Sequence, residues 1–371
     1  MENNTPKNNN PYSELAFEEL RLLAEQGDAK AQFNLALRYK KGKDVEIDLS
    51  KAVEWYAKAA QQGLASAQNN LAVCYEHGKG VEKDPVKALL WYTKAAEQGE
   101  AVAQFNLGTC YRYGKGIEIN LPKAIEWYTK AAEQGDTWAQ NDLGICYNDG
   151  IGVEIDNAKA VEWYQKAAEQ GFEIAQYNLG LCYKTGNGVE KDYKMAVKWY
   201  TKAAEQGYMY AQHNLAICYE EGEGVKKNYK KAAEWYIKAA KQGAAKAQYD
   251  LALCYKDGRG VEKNLEMAVY WYTKAAEQGD AMAQNNLGLC YDEGKGVEQD
   301  LEMAVYWYTK AAEQGNDLAQ NNLGLCYKYG RGTEKDLDKA IEWLTKAAES
   351  GSEKAKRNLV ALQQEIDWGG R

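Results

Sequence analysis

Eight cysteines are the first candidates for chemistry in this 371-residue sequence, and each lies 36 residues from the next. They are Cys74, Cys110, Cys146, Cys182, Cys218, Cys254, Cys290 and Cys326. A disulfide needs Cα atoms about 4.4–6.8 Å apart, and a zinc site usually takes cysteines a few residues apart. One helix position repeated along a stack places equivalent Cα atoms about 8–10 Å apart or more. The spacing therefore predicts buried, reduced thiols that act as small apolar side chains.

Other catalytic side chains do not form a pattern that would bring them together. The two histidines, His77 and His213, belong to different repeats, which argues against histidine-based metal sites and catalytic triads. The loops at 148–156 and 256–264 resemble a calcium loop only faintly, because they lack acidic residues at the first and third ligand positions. We expect no enzymatic activity, no metal and no cofactor, with a hydrolase site in a groove kept as an alternative.

Charge and hydropathy limit the classes of partner. The formal net charge is −8 with both signs interspersed, whereas a nucleic-acid or anionic-membrane surface would need a clustered basic face. No apolar run approaches the ~18 residues that a membrane span needs. The first residues, MENNTPKNNNPYSEL, lack the pattern of a signal peptide. We therefore predict a cytoplasmic protein without nucleic-acid or membrane partners, unless a signal peptide was removed before residue 1.

A 36-residue repeat supplies the elements that must position these side chains. The stretch 100–135 (EAVAQFNLGTCYRYGKGIEINLPKAIEWYTKAAEQG) recurs nine times without insertion or deletion. Its tryptophans are Trp55, Trp91, Trp127, Trp163, Trp199, Trp235, Trp271, Trp307 and Trp343. A fixed period of 20–50 residues indicates stacked supersecondary units.

The first half of the repeat reads as a helix, which we call helix A. Ala103, Leu107 and Tyr111 are spaced i, i+4, i+8, which predicts one apolar stripe on a helix of about 13 residues. Gly114 and Gly116 then end helix A, because glycine reaches the φ > 0 conformations of a tight exit.

The second half reads as helix B. Asn120, or an aspartate in most other repeats, is a favourable N-cap, and Pro85 stands at a first helical position that tolerates proline. Gly135 ends this helix. In the first repeat Asp44 replaces the second glycine of the loop, so we expect that loop to be less regular.

The chain divides into four segments on this reading. They are a disordered segment (1–11), an N-terminal capping half-repeat (12–27), nine repeats (28–351), and a C-terminal capping helix and tail (352–371). Polar half-repeats at both ends are expected to shield the open ends of a solenoid.

The repeated pattern A-x-x-x-L-G-x-x-Y-x-x-G-x-G-V-x-x-D-x-x-K-A-x-x-W-Y-x-K-A-A-x-x-G resembles the Sel-1-like repeat family, which is related to tetratricopeptide repeats. The resemblance implies an all-α fold, a right-handed α/α superhelical solenoid of helical hairpins, and a role as scaffold or adaptor. One secreted branch of the family bridges its helices with disulfides. This chain departs from that branch, since Ala60 and Ala67 stand at the matching positions.

Positions that differ between the nine copies are the candidates for partner binding, because stacking needs the same residues in every copy. A second stripe of helix A varies, and the resemblance implies that it lines the concave groove of the solenoid. The predicted partner-binding residues on this stripe are Val102, Phe105, Arg112, Tyr113, Trp138, Asn141, Ile174, Tyr177, Tyr210, His213 and Tyr249. Aromatic residues and arginine dominate protein interfaces, so the expected partner is another protein or a peptide, with self-association also possible.

Two alternatives remain open at this stage. The aromatic residues could fill the gaps between adjacent helices, and the groove could bind a small molecule or a cell-wall fragment. The uniform amides at Gln104 and Asn106 could hold a ligand main chain or bond a neighbouring helix.

Overall fold

The computed structural model describes residues 11–369, with side chains described to residue 366. Every regular element in this range is helical. The prediction of disorder for 1–11 lies outside the described residues except for Pro11, where a short 3₁₀ helix (Pro11–Ser13) begins. No helix of the described range is long and apolar enough to cross a bilayer.

Twenty α-helices follow one another, and those of the repeats are 13 residues long, as the sequence predicts for helix A. Even-numbered helices α2–α18 are the A helices of repeats one to nine, and odd-numbered helices α3–α19 are the B helices. The helices are α1 (Phe17–Glu25), α2 (Ala29–Lys41), α3 (Leu49–Gln61), α4 (Ala65–His77), α5 (Pro85–Glu97), α6 (Ala101–Tyr113), α7 (Leu121–Glu133), α8 (Thr137–Asp149), α9 (Asn157–Glu169), α10 (Glu173–Thr185), α11 (Tyr193–Glu205), α12 (Met209–Glu221), α13 (Tyr229–Lys241), α14 (Ala245–Asp257), α15 (Leu265–Glu277), α16 (Ala281–Glu293), α17 (Leu301–Glu313), α18 (Asp317–Tyr329), α19 (Leu337–Glu349) and α20 (Glu353–Gly369).

The chain forms two compact units that divide between Glu190 and Lys191. The first contains α1–α10 and the second contains α11–α20. Within each unit every helix packs against the next along the chain. Each unit is therefore an all-α stack of helical hairpins, which confirms the predicted fold class.

Helix boundaries follow the capping residues that the sequence contains. The Asp84 carboxylate accepts hydrogen bonds from the backbone N–H groups of Val86 (3.1 Å) and Lys87 (2.9 Å) at the start of α5, with Pro85 at the first helical position. Asn120 caps α7 in the same way. Satisfying these otherwise unpaired N–H groups typically contributes about 1 kcal/mol per cap, so the B helices begin where the sequence predicts.

The loop after each A helix packs closely on the preceding repeat. A Cβ atom on Gly80 would collide with the backbone carbonyl of Leu49, so this position must be glycine. Asp44 takes the equivalent position in repeat one and adopts the same left-handed conformation, with φ of 63°. The expectation of a less regular loop there was wrong. An ion pair from Arg38 (3.1 Å) holds the Asp44 side chain.

Small residues of helix A receive the tyrosines of helix B. A Cβ atom on Gly108 would lie 2.7 Å from Cδ1 of Tyr128, so α7 lies against the bare backbone of α6. The eight cysteines are free thiols and all except Cys290 are buried, as predicted. Burial raises the pKa of the Cys110 thiol to about 12, which keeps it protonated and unreactive at neutral pH.

A ladder of glutamine side chains joins successive hairpins. Gln104 Nε2 donates to the backbone carbonyl of Ala96 (3.2 Å) in the preceding B helix. Its Oε1 accepts from Gln134 Nε2 (2.7 Å), beyond the end of the following B helix. Equivalent pairs recur in both units. The uniform amides could hold a ligand main chain or bond a neighbouring helix, and the glutamines bond neighbouring helices.

Candidate functional site

The first position of the variable stripe, which Val102, Trp138, Ile174 and Tyr210 occupy, points its side chain to solvent in most repeats. In the first unit Val102 is 46% exposed and Trp138 is 51% exposed, while Ile174 is half-buried. In the second unit Tyr210 is 49% exposed, and Met282 and Leu318 are exposed at the same position. Solvent exposure of large apolar side chains at one repeated position is unusual for a purely structural role.

The second position of the stripe turns inward in repeats three, six and seven, because its aromatic side chain packs on the buried tyrosine of helix B in the same repeat. The ring centroid of Phe105 lies 5.6 Å from that of Tyr128. His213 lies 5.7 Å from the ring of Tyr236, and Tyr249 lies 6.0 Å from Tyr272. Phe105, His213 and Tyr249 therefore fill space between helices A and B, which leaves them little area for a partner. Tyr177, at the same position, is half-buried.

Where this second position is asparagine, it bonds the next repeat instead. Asn141 is 3% exposed, and its Oδ1 accepts from Asn178 Nδ2 at 2.9 Å. His213 shows a variation on this pairing, because the next repeat has Asp250, whose Oδ2 lies 2.7 Å from His213 Nε2. In repeats four and six the side chain at this position is thus bonded to the next repeat.

Arg112 and Tyr113 lie near the end of α6. The Arg112 guanidinium lies 3.6 Å from the Asp142 carboxylate and 5.1 Å from the centre of the Tyr113 ring, while Tyr113 itself is exposed. Burial raises the pKa of Asp142 above its ordinary value, although Arg112 opposes that rise. Arg112 is therefore largely committed to Asp142, and Tyr113 is the more accessible of the two predicted residues.

Two aromatic residues next to the stripe were not among the predicted site residues. Phe172 immediately precedes α10, and its ring centroid lies 4.7 Å from that of Trp138. Tyr208 immediately precedes α12, and its ring lies 5.5 Å from Tyr210. Five of the nine repeats have a capping residue at this position, such as Asp136, whose side chain accepts from the Ala139 N–H, and Leu64 and Ala244 stand there in two others. An aromatic residue in the place of an N-cap was the signal in the sequence that could have identified them.

Replacing the cap has a calculable cost. An aspartate or asparagine N-cap typically stabilises a helix by about 1 kcal/mol, and phenylalanine or tyrosine cannot accept the same hydrogen bond. The chain gives up that stabilisation where it places Phe172 beside Trp138. Local rules of stability are most often broken at functional positions. We call Trp138 and Phe172 the aromatic patch of the first unit.

The geometry defines a class of protein: an all-α repeat protein built from 36-residue helical hairpins, with a patch of exposed apolar side chains on its A helices. The family model described as Sel1 repeat matches nine consecutive segments, from 29–64 to 317–352. The chain belongs to the Sel1 repeat family.

Two solved structures show the same architecture along nearly the whole chain. A protective antigen of uropathogenic Escherichia coli strains is 36% identical, with 95% of this chain and 91% of that chain covered and a TM-score of 0.61. A Sel1 repeat protein from Oxalobacter formigenes is 34% identical, with 94% and 91% covered and a TM-score of 0.63. A comparison with curated proteins finds no match.

Proposed function

We propose that this chain is a non-catalytic, cytoplasmic scaffold that binds a peptide or another protein through the exposed face of its A helices. The observation that carries the proposal is the aromatic patch of the first unit, where Trp138 is half exposed beside Phe172 at 4.7 Å. The family fold is commonly used for protein–protein interaction, which supports the same class of function.

The half-exposed tryptophan sets the scale of the binding energy. A tryptophan buries about 150–250 Å² when covered completely, so covering the exposed half of Trp138 would remove about 100 Å² from water. At about 25 cal/mol per Å², this burial contributes about 2 kcal/mol, which corresponds to about 30-fold in Kd. Anchors of this kind dominate the energetics of protein interfaces.

The experiment is a selection of displayed peptides against the purified full chain, followed by affinity measurements on two variants. Trp138→Ala should raise the Kd of a selected peptide about 30-fold. Leu90→Ala is the matched control, because Leu90 on α5 is also 51% exposed but belongs to a B helix. The control should bind within about twofold of the wild type.

Thermal unfolding of both variants separates binding from folding. An exposed side chain contributes little to stability, so each variant should unfold within about 1 kcal/mol of the wild type. Equal affinities for the Trp138→Ala and Leu90→Ala variants would refute the proposal. A loss of affinity in the Trp138→Ala variant that only follows a general loss of folding would refute it as well.

A further inference from the structure

In repeats two and six the end of helix A faces a tyrosine of helix B and a loop residue of the next repeat. In repeat two, Glu76 occupies the space between them. Tyr92 Oη donates to Glu76 Oε2 at 2.7 Å, and Lys115 Nζ donates to Glu76 Oε1 at 2.7 Å. We call this space, defined by the helix A residue, the helix B tyrosine and the loop residue, the carboxylate slot.

Repeat six builds the same slot with different residues. Tyr236 Oη donates to Glu220 Oε2 at 2.7 Å, and the Arg259 guanidinium donates to Glu220 Oε1. Two independent copies therefore place a carboxylate between a buried tyrosine hydroxyl and a cation.

Repeat seven has the donors of this slot but lacks its carboxylate. Lys256 occupies the position of the glutamate, and Lys295 occupies the position of the loop cation. Tyr272 is 1% exposed, and its hydroxyl lies near the Asn286 side chain but makes no hydrogen bond of standard geometry in the described part of the chain. Lys256 pairs only loosely with the neighbouring Asp257, at 3.9 Å, and Lys295 pairs with the exposed Glu293. The Tyr272 hydroxyl and the Lys256 ammonium thus border a space that holds a glutamate carboxylate in the other two repeats, while Glu293 takes one contact of Lys295.

A cavity of about 420 Å³ lies at this place in repeat seven. The corresponding cavity in repeat two, where Glu76 fills the slot, measures about 290 Å³. The polar lining of the larger cavity consists of three lysines (Lys256, Lys263 and Lys295), the carboxylates of Asp257 and Glu293, and the Tyr272 and Asn286 side chains, so cations outnumber anions. Its wall also contains apolar side chains and one thiol, contributed by Leu265, Ala268, Leu289 and Cys290. The polar end suits an anion, and the apolar wall suits a short hydrocarbon body.

We propose that the cavity of repeat seven binds a carboxylate ligand whose carboxylate takes the place that Glu76 and Glu220 fill in repeats two and six. The Tyr272 hydroxyl and the ammonium groups of Lys256 and Lys295 donate to its oxygens, since charge-assisted hydrogen bonds of this kind are the strong ones. The ligand is a small organic acid or the C-terminal carboxylate of a peptide.

Repeat one carries a similar pair of lysines, Lys40 and Lys79, beside Tyr56, whose hydroxyl likewise has no partner among the described residues. Repeat seven differs from repeat one in its cavity of about 420 Å³ and in a thiol that can report occupation of that cavity. Cys290 supplies this thiol, because it lines the cavity and is partly exposed, while the other seven cysteines are buried.

The test measures alkylation of Cys290 by N-ethylmaleimide in the native full chain, followed by peptide mass spectrometry. Millimolar benzoate should slow the modification of Cys290 at least threefold, whereas benzamide, which has the same ring without the charge, should not. A short peptide ending in phenylalanine is compared with its C-terminal amide. Stronger protection by the peptide acid than by benzoate identifies a peptide terminus as the ligand, and the reverse identifies a small acid.

Lys256→Glu is the decisive variant, because it restores the internal carboxylate of repeats two and six. It should raise the Tm and abolish the protection by benzoate. Lys256→Gln, which removes the charge without adding a carboxylate, should weaken the protection and keeps the test valid if the first variant fails to fold. Equal protection by benzamide and benzoate would overturn the proposal. Undiminished protection in both Lys256 variants would overturn it as well.

Discussion

The glutamine ladder ends with one acceptor unpaired, and this end can be repaired by a single substitution. Gln320 Nε2 donates to the Ala312 carbonyl at 3.2 Å, but its Oε1 is buried without a partner among the described residues. In the preceding repeat Gln314 Nε2 donates to Gln284 Oε1 at 2.7 Å. Ser350 occupies the corresponding position after α19, and its hydroxyl instead donates to the Lys346 carbonyl. Ser350→Gln should supply the missing donor.

The expected gain follows from the cost of the unpaired acceptor. A buried acceptor without a partner costs about 1–3 kcal/mol, and a typical hydrogen bond contributes about 1 kcal/mol net. Ordering a glutamine side chain takes back part of the gain, so we expect about 1 kcal/mol of added stability. Because the units of a repeat protein open locally, this gain should appear as about fivefold slower amide exchange in α18 and α19.

Native-state hydrogen exchange measures the effect repeat by repeat. Ser350→Glu is the control, because a carboxylate has a similar shape but offers no donor to Gln320, and it should not slow the exchange. Gln314→Ser removes the equivalent bond one repeat earlier and should accelerate exchange in α16 and α17 about fivefold. If Ser350→Gln and Ser350→Glu behaved alike, and Gln314→Ser had no effect, the ladder would not hold the hairpins together as described.

Two further predictions concern the packing of single repeats. Burial alone would raise the pKa of Glu76, but the hydrogen bonds from Lys115 and from a tyrosine hydroxyl hold it below its ordinary value of 4.5. The contribution of the Glu76 carboxylate to the free energy of unfolding is therefore complete above pH 4.5 and is lost as the pH falls through the folded-state pKa. In urea unfolding, Glu76→Gln should cost about 1–2 kcal/mol at pH 7 and progressively less below pH 4.5. Gly108→Ala should destabilise by about 1–2 kcal/mol despite the better helix propensity of alanine, because the new Cβ would lie 2.7 Å from the Tyr128 ring. Calorimetry that showed the Gly108→Ala variant to be as stable as the wild type would contradict the close approach of these two helices.

The period and the helix boundaries could be predicted from the sequence because they depend on local chemistry. Apolar spacing, N-cap residues and left-handed glycines act within a few residues, so α5 and α7 begin where Asp84 and Asn120 predict. Asp44 shows the limit of this reasoning. Whether its position tolerates a Cβ depends on the neighbouring repeat, which local patterns do not describe.

The candidate site could be predicted only in part, because the two positions of the variable stripe differ in what they face. Val102 and Trp138 are exposed. Phe105 packs against Tyr128, and Asn141 bonds the next repeat. A position can vary between copies because it binds a partner or because it packs against a different neighbour. Only the distances between side chains in the structure distinguish these two causes.

The carboxylate slot could not be predicted from the sequence, because its residues are far apart along the chain. Lys256 is visibly different from Glu76 and Glu220, but the other two positions of the slot lie 16 and 39 residues further along the chain. Their proximity follows from how helix A, helix B and the next loop meet in space.

The central claim is that the exposed face of the A helices captures the partner. Photo-crosslinking tests it most directly, with a selected peptide that carries a benzophenone at either end and with mass-spectrometric mapping of the adducts on the full chain. We predict adducts on α6, α8 and the residues just before α10, around Trp138 and Phe172, and their loss in the Trp138→Ala variant. Adducts confined to the outer faces of α5, α7 and α9, and unchanged in that variant, would contradict the claim.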